Sequence, residues 1–93
     1  MPAKKTIKAL GKVQKTLHSP AHQTFTRMIK EAREKAGLTQ TETAKRLGIR
    51  QNLISDIERG ERLVDVIEFI HFCQMYDVNP GRFLKKLLEA STK

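Results

Sequence analysis

The segment that most constrains the fold is residues 37–60, which predicts two short helices separated by a glycine. Thr39 can accept a hydrogen bond from the backbone at the start of the first helix, and Glu42, three residues later, completes a capping box. Gly48 follows at the position where a helix commonly ends in the left-handed conformation, which glycine adopts at little cost. The second helix is predicted over residues 51–59, and a further glycine ends it.

The two faces of the second predicted helix differ in polarity. Ile54 and Ile57 give it an inward face, and the outer positions carry Gln51, Asn52, Ser55, Asp56 and Arg59. The sequence allows two positions for Leu53. It can face outward, where it would meet a thymine methyl group, or lie in the core. Two short helices held at a fixed angle by such a turn form a helix-turn-helix, which places its second helix in the DNA major groove.

These residues resemble the Cro/repressor-type helix-turn-helix proteins, also called the XRE family. The matching positions are Gly37, Leu38, Thr39, Gln40, Ala44, Leu47, Gly48, Gln51, Ile54, Ser55, Ile57, Glu58, Arg59 and Gly60. The likeness spans roughly residues 20–88, and it implies an all-α, five-helix bundle of the lambda-repressor-like DNA-binding type. We therefore divide the chain into a basic N-terminal arm (1–18) and a DNA-binding domain (19–90) whose helix-turn-helix core is 39–60.

The resemblance also implies which side chains meet DNA. The expected base-reading residues are Gln51, Asn52, Ser55 and Asp56. Glutamine and asparagine can pair with N6 and N7 of adenine, and aspartate can accept from N4 of cytosine. The expected phosphate contacts are Gln40, Lys45, Arg50, Arg59 and Arg62. The position of Glu58 is structural in this family.

Three residues depart from the family pattern. Thr43 replaces the usual leucine, so we expect looser packing between the two helices or a neighbour that fills the space. Arg50 replaces a small hydroxyl residue at the start of the second helix, so the usual N-cap is missing and the side chain is free for DNA. Asp56 is repelled by phosphate, and it can instead pair with Arg50 or Arg59 and position them.

Charge and composition narrow the class of function. The 93 residues carry a formal charge of +8, and residues 1–17 include five lysines and no acid. Charge alone fits simple solubility as well as a polyanionic partner, and the motif favours the second. The single cysteine, Cys73, fits a reducing cytosol. No apolar run reaches the roughly 20 residues of a membrane span.

Neither catalysis nor a cofactor is indicated by the sequence. We see no nucleophile with a base, no phosphate-binding glycine loop and no carboxylate pair. The three histidines, at positions 18, 22 and 71, have no metal-ligand companions at useful spacing. The expectation is a protein without enzymatic activity, cofactor or metal, located in the cytoplasm in association with the nucleoid.

Three more helices follow from caps and apolar periodicity. Ser19 and Pro20 begin a helix that runs to about residue 36, with an apolar stripe at Phe25, Met28, Ile29, Ala32 and Ala36 and with Arg33 on the other side. Asp65 and Glu68 form a second capping box, before a helix with the expected core face Val66, Phe69, Ile70, Cys73 and Tyr76. The last helix begins at Asn79 and Pro80.

The last helix has a wide apolar face formed by Phe83, Leu84, Leu87 and Leu88. Part of that face is expected to pack internally and part to pair with a second copy, so these four residues are the predicted dimer interface. The sequence therefore predicts a sequence-specific DNA-binding transcriptional regulator, a repressor that binds a two-fold symmetric operator as a homodimer. The alternative is a protein-interaction module, such as an antitoxin or accessory subunit, that binds a partner protein through its C-terminal helices.

Overall fold

The computed structural model describes residue 17 and residues 19–91, and it contains five helices in that part of the chain. They are α1 (Pro20–Lys35), α2 (Gln40–Leu47), α3 (Gln51–Glu58), α4 (Val66–Met75) and α5 (Pro80–Ser91). Helices α2 and α3 pack on each other, α1 lies against α3 and α5, and α4 contacts α5. The expected all-α bundle is confirmed. Apart from Leu17, the predicted basic arm lies outside the described residues.

The helix boundaries follow from side-chain caps that the sequence predicted. The Thr39–Glu42 capping box forms, with both reciprocal hydrogen bonds present, and so does the Asp65–Glu68 box. Asn79 accepts a hydrogen bond from the backbone N–H of Arg82 at the start of α5. These bonds satisfy backbone donors that have no partner inside the helix. Helices α2, α4 and α5 therefore each begin with a side chain that caps the first turn.

Glycines in the left-handed conformation end the two helices of the motif. Gly48 has φ of +70°, and Gly60, two residues after α3, has φ of +79°. At Gly48 no heavy atom lies within 4 Å of the position that a Cβ would occupy, so backbone conformation and not crowding favours glycine there. The fixed turn sets the direction in which α3 leaves α2.

The core is built from aliphatic residues under α3 and an aromatic cluster between α1, α4 and α5. Ile54 and Ile57 are almost fully buried, as the sequence predicted. Phe83 packs edge-on against Phe25 and Phe69, with ring centroids 5.7 Å and 5.1 Å apart. Such tilted aromatic pairs contribute about 0.5–1.5 kcal/mol beyond the area they bury. The cluster fixes α5 against α1.

The structure corrects the predicted core face of α4. Val66 was expected inside, yet it is 72 % exposed, whereas Phe72, which the predicted core face did not include, is 3 % exposed. Cys73 is buried as expected. A helix that is apolar on nearly every side gives no clear periodicity, so the sequence could not determine which face would point inward.

Thr43 is enclosed completely, with 0 % exposure, so its smaller side chain leaves no opening to solvent at the α2–α3 contact. Its hydroxyl makes no hydrogen bond of regular geometry within the described residues. Burial raises the pKa of Tyr76, and the nearby Thr43 hydroxyl offsets part of that rise. Thr43 is therefore enclosed beside Tyr76, the residue that caps the C-terminus of α4.

Candidate nucleic-acid interface

Helix α3 exposes its first turn. Gln51 and Asn52 are exposed, while Ile54 and Ile57 on the opposite side are 1 % and 2 % exposed. Leu53 is half-buried and lies outside the core cluster. Arg50 occupies the N-cap position without a side-chain capping bond, and its side chain is exposed, as its departure from the family pattern predicted. The first turn therefore presents a cation and two amides to solvent.

Gln40, at the start of α2, connects the two helices of the motif. Its Oε1 accepts hydrogen bonds from Gln51 Nε2 at 3.3 Å and from Ser55 Oγ at 2.9 Å. Its Nε2 donates to Glu58 Oε1 at 3.0 Å. One N–H of the Gln40 amide is left for another acceptor such as phosphate. Two of the predicted base-reading residues are thus held from behind by a predicted phosphate contact.

Arg33 of α1 supports this arrangement from the protein interior, although the sequence placed it on the solvent side. It is 8 % exposed. Its Nε and Nη2 bind the two carboxylate oxygens of Glu58 at 2.7 Å and 3.1 Å, and its Nη1 donates to the Leu38 carbonyl at 2.7 Å. The hydrogen bond to Glu58 is the main cause that raises the pKa of Arg33, and burial opposes it. The structural role expected for Glu58 by resemblance is this pairing.

The spacing of residues along α1 does indicate that Arg33 is buried. Arg33 follows the buried Ile29 by four residues, so both side chains lie on the same face of α1. A charged residue in register with a buried aliphatic one indicates a paired charge, because an unpaired charge in the core is too costly. Its partner lies 25 residues away and could not be found from local spacing.

The basic residues at the end of α3 are paired with acids. Arg59 Nη2 bonds to Asp56 Oδ1, and it lies 3.3 Å from Glu61 Oε1. The pKa of Arg59 is raised, mainly by its hydrogen bond to Glu61. Of the two partners considered for Asp56, the structure thus selects Arg59. Among the described residues, the Asp56 carboxylate is bound by Arg59, so it is not free to accept a hydrogen bond from a DNA base.

Arg62 is held in a similar way, farther along the exit turn. Its Nη2 lies 2.8 Å from Glu68 Oε2, and each side chain is 35 % exposed. Lys45, Arg46 and Arg50, by contrast, are exposed and form no ion pair with another described residue. The four predicted phosphate contacts that are cations therefore fall into two sets. Among the described residues, Lys45 and Arg50 are unpaired, whereas Arg59 and Arg62 are already bound to acids.

The apolar face of α5 is divided between core and solvent. Phe83 was expected at the dimer interface, but it is 4 % exposed and belongs to the core, which corrects that prediction. Its place in the aromatic cluster leaves no area for a second copy. Leu84 and Leu88 are 50 % and 65 % exposed, and Leu87 is half-buried.

A second apolar surface lies around the start of α4. Leu63, Val66 and Ile67, around the start of α4, are 50 %, 72 % and 65 % exposed. They follow the exit turn of α3 directly in the chain. The described residues thus expose large apolar side chains on α5 and at the α4 N-terminus, and Ile49 between α2 and α3 is 37 % exposed.

Within the described ranges, no helix combines the length and apolar character needed to cross a membrane. The same residues contain no cluster of three or more histidine, cysteine or acidic side chains suited to a metal ion.

Two short helices at a fixed angle, with an exposed amide-bearing second helix braced by the first, define a DNA-binding helix-turn-helix domain. A family profile described as helix-turn-helix matches residues 29–83. The chain belongs to this family, in its XRE type.

Two similar proteins agree with that assignment. The chain is 40 % identical over 58 residues to the HTH-type transcriptional regulator ImmR of Bacillus subtilis (strain 168), a match over 62 % of this chain and 46 % of the relative. It therefore spans about half the length of that curated relative. A solved structure, an XRE-family like protein from Pseudomonas syringae pv. tomato str. DC3000, is 36 % identical with a TM-score of 0.70. It aligns over 98 % of this chain and 99 % of that one.

Proposed function

We propose that this protein is a transcriptional regulator that binds a two-fold symmetric operator as a homodimer and represses the adjacent promoter, in the cytoplasm at the nucleoid. The observation that carries the proposal is the exposed first turn of α3. There Gln51 and Asn52 face solvent, while Gln40 and the buried isoleucines hold the helix from behind. A rigid helix with exposed amides is suited to hydrogen bonding with base edges in the major groove.

The amide of Gln51 keeps a donor and an acceptor after its bond to Gln40. One N–H is used by Gln40 Oε1, so a second N–H and the carbonyl oxygen remain. That pair matches N7 and N6 of adenine. Asn52 beside it has the same chemistry on a shorter side chain. We therefore expect at least one adenine in each half-site.

The charges around α3 supply affinity that does not depend on sequence. Lys45, Arg46 and Arg50 are exposed and unpaired with other described residues, and the whole chain carries +8. Each phosphate that a cation neutralises releases counterions, so binding weakens as salt rises. Gln40 can add one N–H from the N-terminus of α2, where the helix dipole also favours an anion.

The decisive experiment is selection of bound sequences from random DNA, followed by inspection for two-fold symmetry. Changing Gln51 or Asn52 to Ala should cost about 1–3 kcal/mol on the selected site and relax discrimination at one base pair. Gln74→Ala, an exposed glutamine on α4, is the matched control and should bind like wild type. If the Gln51 and Asn52 variants lose affinity equally on selected and random DNA, the assignment of readers is wrong.

The dimer is proposed to form through the exposed leucines of α5. One recognition helix reads only a few base pairs, and a dimer with half-sites about one helical turn apart doubles that information. Leu84→Glu or Leu88→Glu should shift sedimentation toward monomer and weaken binding to the full operator more than to a half-site. Ile67→Glu, at the α4 surface, is the comparison variant. If only Ile67→Glu dissociates the dimer, the interface lies at α4 instead.

A protein-interaction module is the second candidate, and the exposed apolar side chains of α4 and α5 are the observation that favours it. In that case those helices would bind a partner protein of different sequence. Reversing the charge of Arg50 and Arg59 separates the two functions. The DNA-binding function predicts a large loss of activity with a shallower salt dependence, whereas the interaction module predicts unchanged activity.

A further inference from the structure

Glu58 lies behind the exposed face of α3, and its hydrogen bonds have a fixed direction. Its carboxylate can only accept, and it takes two bonds from Arg33 and one from Gln40 Nε2. The side chain is 5 % exposed, so water has little access to replace these donors. A buried carboxylate that accepts from Arg33 therefore requires that Gln40 presents its N–H group and not its carbonyl oxygen toward the interior.

That requirement determines what Gln40 offers to α3. With Nε2 directed at Glu58, the carbonyl oxygen Oε1 points toward the recognition helix. There it accepts from Gln51 Nε2 and Ser55 Oγ, which fills both of its lone pairs. The orientation of an amide is normally ambiguous between its O and N ends. Here the carboxylate on one side and the serine hydroxyl on the other both fit the same orientation.

Ser55 is the side chain most affected. Its single hydroxyl proton is directed at Gln40 Oε1 at 2.9 Å, in a half-buried position. A serine normally donates or accepts as its partner demands, because the hydroxyl rotates freely. With the proton committed to an oxygen that cannot donate, the hydroxyl keeps only lone pairs for a ligand.

We propose that Glu58, acting through Gln40, makes Ser55 a pure hydrogen-bond acceptor, so that Ser55 selects a base with an exocyclic amino group in the major groove. This inference rests on the proposed DNA-binding function and specifies one position of its recognition code. The amino bases are adenine, through N6, and cytosine, through N4. Guanine and thymine present acceptors at the corresponding edge, so their oxygens would face the lone pairs of Ser55.

The expected specificity has an unusual form. At the base pair read by Ser55, adenine and cytosine on the contacted strand should be tolerated about equally, and guanine and thymine should both be rejected. The expected discrimination is about tenfold, the effect of one well-placed hydrogen bond against an unpaired acceptor. Readers that pair with two atoms of one base, as glutamine does, would select a single base instead.

The experiment compares selected sequences for wild type, Ser55→Ala and Gln40→Met. Wild type should show one position per half-site that accepts adenine or cytosine, and Ser55→Ala should lose that preference while the other positions stay unchanged. Gln40→Met keeps the length of the side chain but offers only a weak acceptor, so the serine hydroxyl can rotate. That variant should accept all four bases at this position and bind every sequence more weakly.

Glu58→Gln tests whether Glu58 is the reason that Ser55 acts only as a hydrogen-bond acceptor. Its amide can donate as well as accept, so Gln40 can turn around and release the serine proton. Glu34→Gln is the matched control, because it removes the same charge from an exposed residue of α1. The control should keep the preference for adenine or cytosine, and Glu58→Gln should reduce it. Gln40→Met leaves the buried ion pair intact, so the test does not depend on Glu58→Gln remaining folded.

Two results overturn the inference while leaving the proposed function standing. The first is a wild type that selects guanine or thymine at the position sensitive to Ser55→Ala. The second is a Ser55→Ala or folded Glu58→Gln variant whose selected sequences match those of wild type. A wild type that selects no sequence at all would overturn the proposed function itself, and this inference with it.

Discussion

Glu58 and Arg59 are neighbours in sequence, yet they end α3 in opposite environments. Glu58 pairs with Arg33 behind the helix, where the two side chains are 5 % and 10 % exposed. Arg59 pairs with Asp56 and Glu61 in front of it, with side chains 56 %, 32 % and 63 % exposed. The difference teaches that the same interaction serves two purposes. The buried pair fixes structure, whereas we propose that the exposed set exchanges its acids for phosphate when DNA binds.

The largest expected effect is on the free energy of unfolding, which should distinguish the buried ion pair from an exposed one. Arg33→Met should lower the free energy of unfolding by about 3–5 kcal/mol, because it leaves the Glu58 carboxylate buried and without its cation. Chemical denaturation measures it. Arg27→Met on the same helix removes the exposed pair with Glu31 and should change stability by less than about 1 kcal/mol. Equal losses for the two variants would contradict the distinction between buried and exposed pairs.

The buried pair can be tested further with a double variant. Arg33→Met combined with Glu58→Met should recover part of the stability lost by the single change, since no uncompensated charge remains. It should not recover sequence discrimination, because Gln40 loses the acceptor that orients it. A double variant with both stability and discrimination restored would show that Glu58 serves only to neutralise Arg33.

The exposed set should affect DNA affinity more than stability. Arg59→Ala should weaken binding to selected and random DNA alike, and it should reduce the slope of log affinity against log salt by about one. Asp56→Asn should act in the opposite direction, because it removes an acid that competes with phosphate for Arg59. Fluorescence anisotropy at several salt concentrations measures both. Loss of affinity in Asp56→Asn on selected DNA alone would identify Asp56 as a base reader after all.

The Arg62–Glu68 pair is an intermediate case and carries the smallest predicted effect. The pKa of Glu68 is lowered, first by its hydrogen bond to Arg62. The folded state therefore binds this proton less readily than the unfolded state, and the stabilisation is complete above the ordinary carboxyl pKa near 4.5. It is lost as pH falls through the lower, folded value. Glu68→Gln should flatten the decline of the denaturation midpoint in that acid range, and an unchanged decline would contradict the assignment.

Local chemistry explains why so much of the fold could be predicted from the sequence. Capping boxes, N-terminal prolines and terminal glycines act within four residues, so Thr39, Gly48 and Asp65 mark boundaries without knowledge of the rest of the chain. The inward direction of Ile54 and Ile57 also follows from helical spacing alone.

The inward-facing residues and side-chain pairs that could not be predicted depend on contacts between residues far apart in the chain. Phe83 lies in the same apolar run as Leu84, and only the rings of Phe25 and Phe69 determine that it is the one that turns inward. Likewise, the partner of Arg33 is Glu58, which lies 25 residues farther along the chain. The predicted readers and phosphate contacts follow from the family resemblance, and their mutual hydrogen bonds through Gln40 have no local signal in the sequence.

The single thiol, Cys73, offers a built-in reporter of how the bundle opens. It is 2 % exposed, and burial raises the pKa of its thiol, so a disulfide reagent cannot react with it in the closed protein. Labelling then waits for α4 to detach, and its rate measures the free energy of that opening without any added probe. A ligand bound to α3 alone would slow the labelling of Cys73 only if the helix-turn-helix and α4 unfold together. The labelling rate thus distinguishes a domain that opens as one unit from one in which the helix-turn-helix and α4 open separately.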